Sequence, residues 1–97
     1  MVNTPLFLAQ RKESNMHNNE YISEVEFIDI FADNLRDIMY EMDISEGELA
    51  RRTGLSKMAI SRYLNKKRIP TLKALVNLSY VLCVPITDLI PTYAMID

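Results

Sequence analysis

The chain has 97 residues, a formal net charge of −2, and 48% apolar against 25% charged residues. This is the length and composition of one small globular domain, and it excludes a disordered chain. No apolar run is long enough to cross a membrane, and the single cysteine, Cys83, excludes an internal disulfide. We therefore expect a cytoplasmic protein in which Cys83 is a small buried residue.

Residues 1–20 show no helical or strand periodicity, and they contain the polar run ESNMHNNE at 13–20. We interpret residues 1–24 as a flexible N-terminal arm, in which Met1 or Met16 is the natural start. His17 lies in this arm without partner ligands, so we expect no metal site.

Apolar residues then recur at helical spacing, at Phe27, Phe31, Leu35, Ile38 and Met42. This spacing predicts a first helix that begins at Ser23 or Val25 and ends at Met42. Acidic residues follow one another every four positions along another face of this helix: Asp29, Asp33, Asp37 and Glu41.

Capping residues predict the next two helices. Ser45 with Glu48 forms a capping box, which predicts a second helix from Glu46 to about Thr53. Gly54 can adopt a positive φ and ends that helix. Ser56 caps a third helix, at 57–65.

Two further helices complete the prediction. Thr71 caps a fourth helix, whose inner face we predict to be Leu72, Leu75, Leu78 or Ser79, and Leu82. Pro85 ends it, and a short fifth helix follows at 86–90. The prediction is an all-α, compact five-helix domain over residues 25–91, followed by a C-terminal tail at 92–97.

The net charge conceals two oppositely charged segments. Residues 20–43 hold eight acidic residues and one basic residue, a net charge of −7. Residues 45–73 hold eight basic residues and two acidic ones, a net charge of +6. Binding to nucleic acid depends on where charge is located, so the basic segment is the candidate interface.

The second and third helices are separated by so few residues that they must cross at a steep angle. Ala50 supplies a small residue at their contact, and Gly54 supplies a tight turn. A buried wedge would consist of Leu49, Leu55, Ile60 and Tyr63. This spacing is what a helix-turn-helix requires.

Several motifs support this interpretation: F-x-x-x-L-R-x-I at 31–38, IS-x-x-ELA at 44–50, TGLS-x-x-x-ISRYLN at 53–65, KRIPTL at 67–72 and VPITDLI at 84–90. In this combination, residues 31–89 resemble the Cro/CI-type (XRE-like) helix-turn-helix domain of phage repressors and bacterial transcriptional regulators. The resemblance implies a lambda-repressor-like fold that binds a pseudo-palindromic operator in double-stranded DNA as a homodimer.

The resemblance also implies roles for individual residues, because the third helix of such domains lies in the major groove. The base-contacting candidates are Lys57, Met58, Ala59, Ser61 and Arg62. Arg62 can donate two hydrogen bonds to guanine O6 and N7, and the apolar candidates can pack against a thymine methyl. The phosphate-contacting candidates are Arg51, Arg52, Asn65, Lys66, Lys67 and Arg68. No catalytic residue, metal ligand or cofactor is expected.

Three features depart from the residues usual in the family. Glu46 stands where a glutamine usually contacts a phosphate, and Lys66 stands where a glycine usually follows the third helix. Met39 and Leu64 occupy positions at which many relatives pair an arginine with a glutamate. We predict that these two apolar side chains contact each other in place of the ion pair.

The sequence therefore predicts a sequence-specific DNA-binding transcriptional regulator, a repressor of phage or mobile-element type, in the cytoplasm and associated with the nucleoid. One alternative is an antitoxin whose arm folds on a toxin, and another is a protein-binding adaptor without DNA binding, which Glu46 favours. The protein partner would be a toxin or an antirepressor. We predict that the dimer surface lies at 86–96, and we expect neither an enzyme nor a membrane protein.

Overall fold

A computed structural model of the chain describes residues 21–92, and every regular element in that range is helical. Its elements are α1 at Glu24–Met42, α2 at Glu46–Thr53, α3 at Lys57–Leu64, α4 at Leu72–Leu82, and a single 3₁₀ turn at Ile86–Asp88. The all-α class is confirmed. The predicted fifth helix is this 3₁₀ turn, which is shorter than 86–90.

Most of the predicted arm at 1–24, including Met16 and His17, lies outside the described residues. Nearly all of the predicted tail at 92–97 lies outside them as well. Within the described range, no helix combines the length and the apolar composition needed to cross a membrane.

Each α-helix begins at a side-chain cap. The hydroxyls of Ser23, Ser45, Ser56 and Thr71 each accept a hydrogen bond, at 3.0–3.1 Å, from the backbone N–H three residues later. Such a cap satisfies one of the N–H groups that a helix leaves unpaired, and it contributes about 1 kcal/mol. These hydrogen bonds explain why the starts of the helices could be predicted from the sequence.

Three of the four described α-helices end at a residue in the left-handed backbone conformation. Gly54 ends α2 with a φ of 78°, as predicted. Asp43 and Cys83 end α1 and α4 with φ values of 55° and 58°. The expectation that Cys83 is buried is wrong, because the chain leaves the helix at this residue and exposes the side chain.

All four α-helices contribute to one apolar core, together with Leu89, which directly follows the 3₁₀ turn. Its fully buried large side chains are Phe31, Leu35, Leu49, Ile60, Leu78, Leu82 and Leu89. The ring of Phe31 packs edge-on against Tyr63, with 5.6 Å between the ring centroids. This contact joins the longest helix, α1, to α3 at the centre of the domain.

Two predicted core residues lie outside this core. Leu72 is 73% exposed and Met42 is 41% exposed. The buried face of α4 consists of Ala74, Leu75, Leu78 and Leu82, so Leu72 lies to one side of it. Met42 is the last residue of α1, beyond the buried row that ends at Met39.

Candidate nucleic-acid interface

The turn between α2 and α3 is only three residues long and is held by Thr53. The Gly54 N–H donates to the Ala50 carbonyl at 3.0 Å. The Thr53 hydroxyl donates to the Leu49 carbonyl at 2.8 Å and accepts from the Leu55 N–H at 3.2 Å. Since Thr53 is buried, these bonds satisfy its polar atom and fix the turn.

Two long-range hydrogen bonds hold this pair of helices against the rest of the domain. The Asn77 amide of α4 donates to the Thr53 carbonyl at 3.2 Å, at the end of α2. The Arg36 guanidinium of α1 donates to the Leu64 carbonyl at 2.6 Å, at the end of α3. A cation at a helix C-terminus also interacts favourably with the helix dipole. The end of α3 is therefore held by α1, and the end of α2 is held by α4.

The α3 helix has a buried face and an exposed face. Its buried side chains are Ala59, Ile60, Tyr63 and Leu64. Lys57, Met58 and Arg62 are exposed, and Ser61 is half-buried. These four are base-contacting candidates, and they lie together on the solvent face, where a groove of DNA could approach them.

Ala59 does not share that face. It is only 7% exposed and belongs to the apolar core. Its side chain is one residue from Met58 in the sequence, but a helical turn of about 100° between neighbours directs it inward. We therefore remove Ala59 from the base-contacting candidates.

The two cations on the exposed face of α3 have no acidic partner among the described residues. Neither Lys57 nor Arg62 takes part in an ion pair within residues 21–92. The Asn65 side chain donates to the Ser61 carbonyl at 2.8 Å and to the Ser61 hydroxyl at 3.3 Å. Ser61 keeps its own hydroxyl proton as a donor, while the amide nitrogen of Asn65 is already engaged within the helix end.

The arginines of α2 are paired within their own helix. The Glu48 carboxylate contacts Arg51, three residues on, and lies 3.6 Å from Arg52 Nε. This geometry differs from the predicted capping box: Ser45 accepts from the Glu48 N–H, while the Glu48 side chain points toward the arginines. Both arginines are exposed, so an approaching phosphate would compete with Glu48 for them.

Lys66 is held against α1. Its ammonium lies 2.6 Å from Asp29 Oδ1 and 3.3 Å from Asp33 Oδ1. Lys66 also takes the left-handed conformation, with a φ of 61°, whereas Asn65 has a φ of −95°. The hydrogen bond that Lys66 donates to Asp29 is the largest cause of a Lys66 pKa above its ordinary value of 10.5.

Lys67 and Arg68 follow the end of α3, and both are exposed without an ion pair in the described range. Of the six phosphate-contacting candidates, these two have the least engaged charges. Both lie at the C-terminal end of α3, beyond the exposed face that carries Arg62.

Glu46 lines an open groove between the end of α1, the start of α2 and the end of α3. Met39 and Leu64 also line this groove, and both are buried in the core. The remaining lining residues are Arg36, Tyr40, Glu41, Asp43, Ile44 and Ser45. Both side chains therefore belong to one buried cluster, and their direct contact stays a prediction.

Comparison with known protein families identifies the family to which this chain belongs. A helix-turn-helix family, HTH_3, matches residues 35–89, which is more than half of the chain. The chain belongs to the XRE-type helix-turn-helix family. It is accordingly a regulator that binds double-stranded DNA, and it is not an enzyme.

Solved structures share the fold of this helix-turn-helix protein. The restriction-modification controller protein C.AhdI from Aeromonas hydrophila is 21% identical, with a TM-score of 0.62 over 64% of this chain and 94% of that chain. The hypothetical transcription factor NHTF from Neisseria is 25% identical, with a TM-score of 0.65 over 75% of this chain and 84% of that chain. None of the curated proteins matches the sequence.

One similar structure is an enzyme. Hydroxypropylphosphonic acid epoxidase from S. wedmorenis is 23% identical, with a TM-score of 0.64 over 71% of this chain. The match covers only 36% of the epoxidase. The similarity is therefore one of fold, confined to part of that enzyme, and it carries none of its chemistry to this chain.

Sequence reasoning missed the residues that hold α2 and α3 against the rest of the domain. Arg36 and Asn77 were assigned no role, because the bonds that they form span 28 and 24 residues of sequence. The L-R pair at 35–36 in the first motif was the available signal for Arg36. Asn77 gave a weaker signal, as an amide in an otherwise largely apolar helix.

Proposed function

We propose that this helix-turn-helix protein is a sequence-specific transcriptional repressor, of the type found in phages and mobile elements, that binds a pseudo-palindromic operator as a homodimer in the cytoplasm. The observation that carries the proposal is the solvent face of α3. Lys57, Met58, Ser61 and Arg62 lie on that face, while the opposite face is fixed in the core. In this proposal α3 enters the major groove and these four residues contact base edges.

Charge supports this docking orientation. Lys57, Arg62, Lys67 and Arg68, which form no ion pair within residues 21–92, lie on or directly after α3. The exposed face of α1 instead carries the acidic row that begins at Asp29. DNA would be attracted to α3 and repelled by α1, so one orientation is favoured before any base is contacted.

The dimer surface that we propose includes the exposed row of α4, formed by Leu72, Val76 and Tyr80. These residues are 73%, 48% and 83% exposed and are spaced four apart. In an antiparallel pairing about a two-fold axis at Val76, Leu72 of each copy would meet Tyr80 of the other. The predicted surface at 86–96 stays a prediction: Leu89 is buried and Ile90 is half-buried, while residues 93–96 lie outside the described range.

The salt dependence of binding to a random duplex tests the DNA-binding part of this proposal. Each phosphate that the protein neutralises contributes a slope of about −0.9 to the logarithm of the binding constant against the logarithm of salt concentration. Four unpaired cations that all contact phosphate would give a slope of about −3.6, and contacts by fewer of them would give a shallower one. A slope of zero at low ionic strength would remove DNA binding from the proposal.

Two alternative functions, an adaptor and an antitoxin, each depend on particular residues of the chain. Glu46 at the start of α2 favours an adaptor without DNA binding, since a carboxylate there would repel a phosphate. The segment at 1–24 is the part of the chain that an antitoxin would use to bind a toxin. Copurification of a basic protein that competes with DNA would support the antitoxin, and copurification of a partner with no DNA binding at all would support the adaptor.

A further inference from the structure

We propose that Lys66 is a positioning residue that anchors the end of α3 to α1 through Asp29 and Asp33, and that it does not contact a DNA phosphate. This inference rests on the proposed DNA-binding function. It reassigns a residue that the sequence placed among the phosphate contacts, and it makes the acidic row of α1 part of the mechanism that orients the DNA-reading helix.

The contact geometry supports an anchor. Asp29 and Asp33 lie one turn apart on α1, and the Lys66 ammonium lies within ion-pair distance of both. An ammonium has three donors, of which the two carboxylates can occupy two. A phosphate could take the remaining donor only by approaching two carboxylates that would repel it.

The backbone conformation at Lys66 also supports a positioning role. Its φ of 61° is a conformation that residues with a side chain adopt at an energetic cost and that glycine adopts freely. The Lys66 N–H donates to the Tyr63 carbonyl at 3.1 Å, and the Lys67 N–H donates to the Arg62 carbonyl at 2.8 Å. This conformation turns the chain at the end of α3 and directs the Lys66 side chain toward α1.

A second bond acts on the same end of α3. Arg36, also on α1, donates to the Leu64 carbonyl, two residues before Lys66. Two cations, one from each side of the contact, therefore connect α1 to the C-terminus of α3. Rotation of α3 about its contact with α1 would break both, so together they fix the angle at which Arg62 is presented.

Salt dependence separates an anchor from a phosphate contact. Lys67→Gln is the matched control, because Lys67 is the next residue in the chain, is exposed, and forms no ion pair among the described residues. With a random duplex, we expect Lys67→Gln to reduce the magnitude of the salt slope by about 0.9 and Lys66→Gln to leave it at the wild-type value. A reduction of about 0.9 for Lys66→Gln would overturn the proposal.

Specificity provides the second readout. With an operator selected from a random DNA pool, we expect Lys66→Gln to lower the ratio of specific to non-specific affinity about twofold to fivefold, the size expected for loss of a partly exposed ion pair. Lys66→Arg, which can still donate to both carboxylates, should restore most of that ratio. An unchanged ratio in Lys66→Gln would overturn the positioning role even if the salt slope is unaffected.

A measurement without DNA distinguishes failure of this inference from failure of the proposed function. The Lys66 pKa, followed by NMR at its ε-methylene group, should fall when Asp29 and Asp33 are both replaced by asparagine. Because the pKa is raised in the folded state, stabilisation by the anchor is present below the ordinary value and is lost as pH rises through the raised one. An identical Lys66 pKa in Asp29→Asn/Asp33→Asn would show that no anchor exists, whether or not the protein binds DNA.

Discussion

Replacement of Arg62 by alanine tests the role of the exposed face of α3. Arg62 is exposed in the last turn of α3 and forms no ion pair within residues 21–92. Its guanidinium is therefore free to donate two parallel hydrogen bonds to guanine O6 and N7. Because the Arg62 side chain is exposed, its removal creates no cavity in the core, where the neighbouring Tyr63 is buried.

The size of the effect follows from the number of bonds lost. A bidentate contact to guanine contributes roughly 1–3 kcal/mol of discrimination, which corresponds to about 5-fold to 140-fold in the dissociation constant. A phosphate contact would instead weaken specific and non-specific binding alike. We expect Arg62→Ala to lower affinity for the selected operator by this factor, and affinity for a random duplex by much less.

The assay is a pair of titrations by fluorescence anisotropy, one with the operator and one with a random duplex of the same length. Circular dichroism and thermal unfolding of Arg62→Ala should match the wild type and so exclude misfolding. Selection with Arg62→Ala should also relax sequence preference at a single base pair in each half-site. Equal losses of affinity on both duplexes would refute base contact and make Arg62 a phosphate-contacting residue.

Three further predictions concern the scaffold and the assembly. Ile60→Ala removes a fully buried side chain of α3 and should lower the free energy of unfolding by about 2–5 kcal/mol, against about 0.5–1.5 kcal/mol for Ile60→Val, as measured by urea denaturation. Equal losses for the two would contradict the packing described. Asn77→Ala leaves the Thr53 carbonyl without its side-chain donor and should cost about 1 kcal/mol in the same assay, whereas no loss would mean that water replaces the bond. Tyr80→Glu places a charge in the exposed row of α4 and should yield a monomer in sedimentation equilibrium while the fold is retained; an unchanged dimer would locate the interface elsewhere.

Local chemistry explains why much of the fold could be predicted. The starts of the helices follow from a hydroxyl that accepts from an N–H three residues later, as at Ser56 and Thr71, and both residues are recognisable in the sequence. The turn after α2 likewise follows from Gly54, because glycine reaches a positive φ without a steric cost. These signals depend on neighbours within a few residues.

The errors arose where a residue's environment depends on distant parts of the chain. Ala59 lies in the stretch that the family uses for base contacts, but the packing of α3 directs its side chain into the core. By contrast, the error at Cys83 has a local cause: it was expected to be buried as a small apolar residue, but it ends α4 in the left-handed conformation and is exposed. The sequence likewise gives no signal of the two carboxylates that α1 brings to Lys66 across 37 and 33 positions, and its role at a phosphate stays a prediction for the salt slope to test.

Selection of bound sequences from a random DNA pool tests the central claim most directly, because it requires both base contacts by α3 and assembly into a dimer. We expect enrichment of an inverted repeat whose half-sites are centred about 10 base pairs apart, or a multiple of that distance. Each half-site should contain a guanine whose preference disappears when the pool is selected with Arg62→Ala. Recovery of sequences without a common motif, at a salt concentration that permits binding, would contradict sequence-specific recognition by this helix.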